Sequence, residues 1–464
     1  MMTNDTQWPP DFVARMRTWL GDEADAFLAA LTKRDYGIRL NPRRGTPAAL
    51  AEILPWRTQP VPWCPEGRWL DPSGDEQHAD LEDTSLGAHP YHMAGVYYIQ
   101  DPTAMAAAAL LDAQPGEWVL DLAASPGSKA THIASRMGGE GVLVANEIAR
   151  RRTTVLAMNL ERMGVTNALV TNAYPERLSE VWAGLFDAML VDAPCSGEGT
   201  FSRDARALAD WSLKTVRGYA ARQREILSQA APLVRAGGRI LYGTCTFSPE
   251  ENESVIAAFL EAHPDFELAK LPALPGMRPG HPEWVGAPEA LRTTGRFWPH
   301  TGPGHGHFYA LLRRKGTPPD DLPAQWTGQD VPGRVLRLYE QTLGDVLTGP
   351  LPQEGLILTE DDDCYITPMA PALWAKVPVL RPGWWVASLR HGKITPDHAL
   401  AMALKPAAVT DHVDLAPDDP RLSRYLDGSV WSEDGPRRKG RAGGFVLITV
   451  DGFPVGWAKR ADGR

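Results

Sequence analysis

The chain has 464 residues, 43% of them hydrophobic, enough for several domains with sizeable cores. No apolar run approaches the roughly 20 residues of a membrane span, and the opening MMTNDTQWPPDF lacks the basic-then-apolar order of a secretion signal. A net charge of −10 argues against indiscriminate nucleic-acid binding, and four cysteines without CxxC or His/Cys spacing argue against a disulfide framework or a metal site. A cytoplasmic protein with no membrane partner and no metal is expected. The charge is uneven, with basic runs at residues 150–152, 313–315 and 436–441, each read first as a solvated face.

Apolar positions recur at helical spacing over residues 10–33. A mixed Pro- and Trp-rich segment follows to about residue 95. Tyr98–Leu111 predicts a helix, with Asp101 as N-cap and Pro102 at its first position. Strand and helix patterns then alternate. Strands are expected at Trp118–Leu122, Gly141–Asn146, Ala168–Thr171, Phe186–Asp192, Arg239–Thr244 and His307–Leu312. Helices are expected at Ser128–Met137, Ala149–Arg162, Tyr219–Leu233 and Glu250–Ala262. This βαβα order predicts an α/β fold with a parallel-rich, doubly wound sheet. The Pro-rich stretch 315–332 reads as a linker. Beyond it, Gly383–Leu389 and Phe445–Val450 read as strands of small β-rich domains. Trp384 and Trp385 are read first as core, with base stacking as the rival use.

After the strand WVLDL comes Ala123–Lys129 (AASPGSK), then a helix. Ligands of open α/β sheets bind beyond the carboxyl ends of the strands. A turn of small residues lets a ligand approach the backbone, and the helix start offers free N–H groups. Glu147 ends the next strand, where a carboxylate can accept both hydroxyls of an adenosine ribose. The turn is not GxGxxG. It suits S-adenosyl-L-methionine, which has the ribose but no pyrophosphate, better than NAD.

Cys195 follows one expected strand and Cys245 the next, so both thiols project at the same end of the sheet. Carbon 5 of cytosine is a poor nucleophile. A thiolate adding to carbon 6 makes the ring an enamine whose carbon 5 can capture a methyl group. The addition needs a proton or hydrogen bond at N3, which Asp192 can provide. Release then requires loss of the carbon 5 proton and expulsion of the thiol, helped by a second thiol or a water. Small buried core cysteines are the bland alternative.

These residues resemble the RNA cytosine-C5 methyltransferases of the Sun/Nop (NSUN) type. The resemblance rests on Leu120–Lys129 (LDLAASPGSK), Asp192–Gly199 (DAPCSGEG), Gly243–Asn252 (GTCTFSPEEN), Arg296–His300 (RFWPH) and Gly306–Phe308 (GHF). Tyr97–Pro102, His398–Met402 and Asp451–Trp457 look like the bacterial small-subunit rRNA branch, the RsmF (YebU) type, with its PUA-like C-terminal region. The resemblance implies a Rossmann-like class I methyltransferase domain at 96–315. Around it stand a small α/β N-terminal RNA-binding or accessory domain at 1–95, a linker at 316–332 and a β-rich RNA-binding region at 333–464. It implies Cys245 as nucleophile, Cys195 in product release, and Asp192 and Lys129 beside the reacting base. The cofactor S-adenosyl-L-methionine would meet Ala123, Ala124, Ser125, Pro126, Gly127, Ser128, Lys129, Glu147 and Asp192. Ser125 and Ser128 depart from the family's C-A-A-P-G-G-K. Where the family has an acid after the third strand, this chain has Thr171–Tyr174, and Asn172 is preferred over Tyr174 for the cofactor. The expected partner is 16S rRNA, free or within the 30S subunit, met by a monomer. The alternative is a ribosome-assembly RNA-binding factor with an inactive methyltransferase domain. An amino-methyltransferase would need an N/D-P-P-Y-like loop, and a thiol redox protein a CxxC.

Overall fold

The computed structural model describes residues 8–33, 36–70, 83–319, 322–431 and 444–460; the basic run at 436–441 lies outside them. Among the described residues, no helix is long and apolar enough to cross a membrane. The helical pattern at 10–33 is divided into Pro10–Leu20 and Ala24–Ala30, with Gly21 at φ +53 between them. Phe12, Met16 and Phe27 from this pair pack against Phe201, Trp211, Phe247 and Trp298 of the central domain.

A four-stranded sheet follows, in the order β2-β3-β1-β4. Its strands are β1 (Gly37–Leu40), β2 (Thr58–Val61), β3 (Cys64–Leu70) and β4 (Tyr97–Ile99). The expected boundary at residue 95 therefore cuts this sheet, because β4 pairs antiparallel with β1. The helix expected from Tyr98 starts later. A 3₁₀ turn at Thr103–Met105 leads into Ala106–Leu111. Asp101 does cap this turn, accepting from the backbone N of Thr103 (2.9 Å) and Ala104 (3.2 Å). Pro102 disfavours helical geometry at the residue before it, and the aromatic run Tyr97-Tyr98 suits a strand.

The central sheet has ten strands, ordered β11-β12-β13-β9-β8-β5-β6-β7-β16 with β10 on β13. Among the described residues they are β5 (Trp118–Asp121), β6 (Val142–Asn146), β7 (Ala168–Thr171), β8 (Phe186–Asp192), β9 (Val234–Thr244), β10 (Phe266–Ala269), β11 (Arg278–Pro279), β12 (Gly295–Phe297), β13 (His307–Arg314) and, from far along the chain, β16 (Val379–Arg381). Strands β5 to β9 run parallel and are buried on both faces, which is why they read as continuous apolar runs. Neighbours β6 and β8 lie on opposite sides of β5, so the chain order reverses there and a crevice opens at its carboxyl end.

Residues beyond 332 form two further sheets, β14-β15-β17-β18 and β19-β20-β21. The first contains β14 (Leu356–Leu358), β15 (Asp363–Ile366), β17 (Trp384–Arg390) and β18 (Lys393–Pro396). The second contains β19 (His412–Leu415), β20 (Phe445–Val450) and β21 (Phe453–Lys459). This region is not a tail on a linker. Its β16 (Val379–Arg381) joins the central sheet as an edge strand on β7. Leu415, Val446, Ile448 and Val450 share one core with Ile38, Leu40 and Tyr97 of the N-terminal sheet and with Tyr91 of the short helix Pro90–Met93. Trp384 packs partly into the C-terminal core, its Nε1 donating to the Ala399 carbonyl at 3.0 Å. Trp385 stacks on Tyr365 and lies under the Arg381 guanidinium.

Candidate active site

A cavity of about 930 Å³ opens beyond β5, β6 and β8, at the reversal point. One end is lined by Ala123, Ser125, Lys129, Glu147, Tyr174 and Asp192; Cys195, Cys245 and His307 also line it. The 123–129 loop is held from behind. Ser125 Oγ donates to the Arg152 carbonyl (3.0 Å), and Arg152 Nη2 donates back to the Ser125 carbonyl (2.8 Å). The serine that departs from the family pattern is thus engaged by the neighbouring helix. Gly127, at φ +112, starts the helix Ser128–Met137; a Cβ there would be strained and would press on Leu156 at 3.3 Å. Ala124, Pro126, Gly127 and Ser128 shape the loop but do not line the cavity.

Glu147 accepts from the backbone N of Ala149 (2.8 Å) and pairs with Arg152 (3.3 Å) while facing the cavity. Asn172 departs from its expected place. Its amide nitrogen donates to the carbonyls of Glu147 (2.7 Å) and Ile148 (2.9 Å), and the residue does not line the cavity. A short amide side chain at that position reaches the turn backbone before it reaches the crevice. Tyr174, 64% exposed, and Ile148 stand at the rim instead. A carboxylate for a ribose diol, flanked by exposed aromatic and aliphatic side chains, fits an adenosine-bearing sulfonium.

The two thiols converge. Strands β8 and β9 pair side by side, and Cys195 Sγ lies 3.3 Å from Cys245 Sγ. The loop carrying Cys195 is clamped by Glu251, which accepts from the backbone N of Ser196 and from Gln223 Nε2, both at 2.9 Å. Gly199 lets the loop close over the second cysteine: its N–H donates to the Cys245 carbonyl at 2.9 Å, and an added Cβ would lie 2.9 Å from the same oxygen. The segment after Cys245 is a scaffold. Asn252 holds Thr244 and the Thr246 carbonyl, while buried Glu253 grips Arg296 through two hydrogen bonds.

The charges are ordered around this pair. Lys129 Nζ donates to Asp192 Oδ2 at 2.7 Å. Burial works against the Lys129 charge, but Asp192 overcomes it and holds the ammonium above its usual range. Behind them, burial and then the Asp192 charge push Asp121 up to about 8, so it is protonated at neutral pH. The Cys195 thiol is raised well above its usual value by its hydrogen bond to Cys245 and then by burial.

His307, the middle residue of the Gly306–Phe308 motif, is a cavity residue that no local pattern marks. It begins β13, where Phe308 pairs with Thr244, so it stands beside Cys245. Its Nδ1 lies 2.8 Å from Thr103 Oγ1, which in turn hydrogen-bonds Asp101. Asp101 also holds His305 Nδ1 at 2.6 Å. No local signal could link Asp101 and Thr103 to residues two hundred positions away.

The sequence matches the family described as 16S rRNA methyltransferase RsmB/F over residues 108–313. It also matches the N-terminal domain of RsmF over 8–102, the RsmF first C-terminal domain over 342–404 and the RsmF PUA domain over 412–464. Ribosomal RNA small subunit methyltransferase F of Klebsiella pneumoniae (strain 342) is 31% identical, with 100% of this chain and 96% of that protein covered. Its namesake in Erwinia tasmaniensis is 35% identical over 70% of this chain and 68% of that protein. The crystal structure of a methyltransferase homologue from Pyrococcus horikoshii superposes with TM-score 0.57 at 28% identity, covering 66% of this chain and 95% of the other. NSun6 from the same organism has the same fold, with TM-score 0.58 at 21% identity over 68% of this chain and 100% of the other. With full-length similarity and an α/β core that carries the matched motifs on adjoining strands, this chain belongs to the RsmB/F family of 16S rRNA methyltransferases, in its RsmF branch.

Proposed function

We propose that this chain methylates carbon 5 of cytosine in 16S rRNA, with Cys245 as the covalent nucleophile. The observation that carries the reading is the pair of thiols 3.3 Å apart, in one cavity with the Lys129–Asp192 ion pair. S-adenosyl-L-methionine, when bound, supplies an electrophilic methyl group. Glu147 and Tyr174 would hold its nucleoside, and Ala123, Ser125 and Asp192 its remainder.

The chain's own residues do the rest. Cys245 adds to carbon 6, and the Lys129 ammonium gives its thiolate a nearby counter-charge. Negative charge then builds toward N3 of the base. Asp192 delivers a proton there, drawing on Lys129, whose proton already points at Asp192 Oδ2. Cys195 stays a thiol at neutral pH and donates its S–H to the Cys245 sulfur as that group departs. The base must leave its helix to reach this cavity. The last C-terminal sheet and the N-terminal sheet, joined in one core, offer the surface for docking folded RNA. The chain acts as a monomer in the cytoplasm.

The direct test is methyl transfer to 16S rRNA with bisulfite mapping of the product. The Cys195→Ala variant should accumulate a covalent enzyme–RNA adduct, seen as a slow band on a denaturing gel. Methylation at a position other than cytosine carbon 5 would overturn the reading, and normal turnover by Cys195→Ala would remove its role in release.

A further inference from the structure

Product release needs two partners, a donor for the departing sulfur and an acceptor for the carbon 5 proton. Cys195 can serve as the first. As a thiol held in its protonated form it is a poor candidate for the second. The cavity offers another group.

His307 is 7% exposed and lines the cavity with Lys129, Asp192, Cys195 and Cys245. The register of β13 against β9 places it next to Cys245. Its tautomer follows from its partners. The Asp101 carboxylate only accepts hydrogen bonds; it is held ionised, far below the usual carboxylate range, as its bonds to His305 and Arg203 outweigh its burial. Thr103 Oγ therefore donates to Asp101 and accepts from His307 Nδ1–H. The proton is on Nδ1, so Nε2 carries the lone pair. Nε2 has no hydrogen-bond partner among the described residues, is not among the enclosed polar atoms, and belongs to a ring that lines the cavity. Tyr309 stacks on the ring at 5.6 Å and fixes its plane. Burial and then the Lys129 charge push the imidazole down to about 4, so it is neutral in ordinary assay buffers.

We propose that His307 is the base that takes the carbon 5 proton after methyl transfer, with Thr103 and Asp101 as positioning residues that aim its lone pair. The inference rests on the function proposed above. In the step, the carbon 5–hydrogen bond breaks and the proton passes to Nε2, giving an imidazolium. The electron pair of that bond forms the carbon 5–carbon 6 double bond. The carbon 6–sulfur bond breaks, and its pair leaves on the Cys245 sulfur, which accepts the Cys195 S–H hydrogen bond. As the double bond re-forms, the N3 proton passes back through Asp192 to Lys129; the imidazolium, close to the Lys129 charge, returns its proton to the Cys245 thiolate, so that Cys245, His307 and the ion pair are restored and the one net proton is that given to water when Cys245 first ionised.

The test compares methyl uptake with hydrogen release. The full chain is given 16S rRNA carrying tritium at carbon 5 of cytosine and S-adenosylmethionine labelled with carbon-14. The wild type should gain one methyl for each tritium released. His307→Gln, which keeps an acceptor of similar size, and His307→Phe should each take up about one methyl per enzyme in the first turnover. Tritium release and later turnovers should fall on the order of 10²-fold, the usual effect of losing a general base. The trapped RNA should run as a methylated covalent adduct. Thr103→Val should show a smaller version of the same split. A folded His307 variant that loses both signals in step, or keeps both, overturns the role of His307. A wild type that methylates RNA without releasing tritium overturns instead the reading of carbon 5 chemistry beneath it.

Discussion

The cavity at the end of the central sheet and the seam between the first and last sheets are both built where distant strands meet. They differ in what the meeting produces. At the cavity, each strand ends in a short motif that carries its own chemistry, and the fold only has to bring the ends together. Lys129, Asp192, Cys195 and Cys245 belong to three such strand ends. At the seam no residue is chemically special. Leu415, Val446, Ile448 and Val450 simply complete a core begun by Ile38, Leu40 and Tyr97. Substitutions at the first place should remove reaction and leave folding, and substitutions at the second should do the reverse.

The sharpest way to break this contrast is Cys245→Ala. Loss of a covalent nucleophile should reduce methyl transfer on the order of 10⁶-fold. Equilibrium binding of S-adenosylmethionine and the melting temperature should stay close to wild type. A variant that unfolds or loses the cofactor would show that the cavity is part of the stability of the fold after all.

At the seam, Ile448→Ala should cost about 2–5 kcal/mol by leaving a void in a fully buried position, read by denaturant unfolding. Cofactor affinity measured under folding conditions should not change. The same core makes removal of residues 333–464 a poor probe of RNA docking, since it would also strip β16 from the central sheet and uncover the N-terminal sheet.

The cavity also carries a pH response of its own. Burial, then the charge of Glu198, pushes Glu251 up to about 8 from its ordinary 4.5. Between those values the folded chain holds a proton that the unfolded chain has released. Stability contributed here is full at low pH and falls as pH rises through the window. Glu251→Gln should flatten part of that fall in melting temperature between pH 5 and about 8. An unchanged slope would mean that the clamp on the Cys195 loop does not titrate. The smallest effect is expected of Tyr91→Phe, which deletes a 2.6 Å hydrogen bond to Asp451 across the seam and should cost about 1 kcal/mol in the same unfolding assay.

The parallel strands from 118 to 244 and four of the helices between 128 and 262 were legible because each carries its own periodicity and its own punctuation, whereas the short helices Pro175–Trp182 and Ala205–Asp210 were not, being too brief to show a helical repeat. Loop Ala123–Lys129 was legible for a related reason: small residues between a strand and a helix have few other uses. What the Asn172 amide meets was not legible, because a motif position says where a residue is in the chain and not what its amide will meet first. The turn carbonyls at Glu147 and Ile148 were nearer than the crevice.

By itself the sequence determined the order of the parallel strands, the two cysteines at neighbouring strand ends, and Glu147 and Asp192 at strand ends beside them, since these follow from local pattern and from the pairing of consecutive strands; Lys129 came only with the family resemblance. Only the tertiary structure decided that β16 extends the central sheet, that the last sheet closes the first, and that Asp101 and Thr103 meet His307. Those arrangements depend on contacts between segments hundreds of residues apart. Such contacts form because apolar faces and unpaired strand edges must be covered by something, and the sequence does not say locally which partner will cover them.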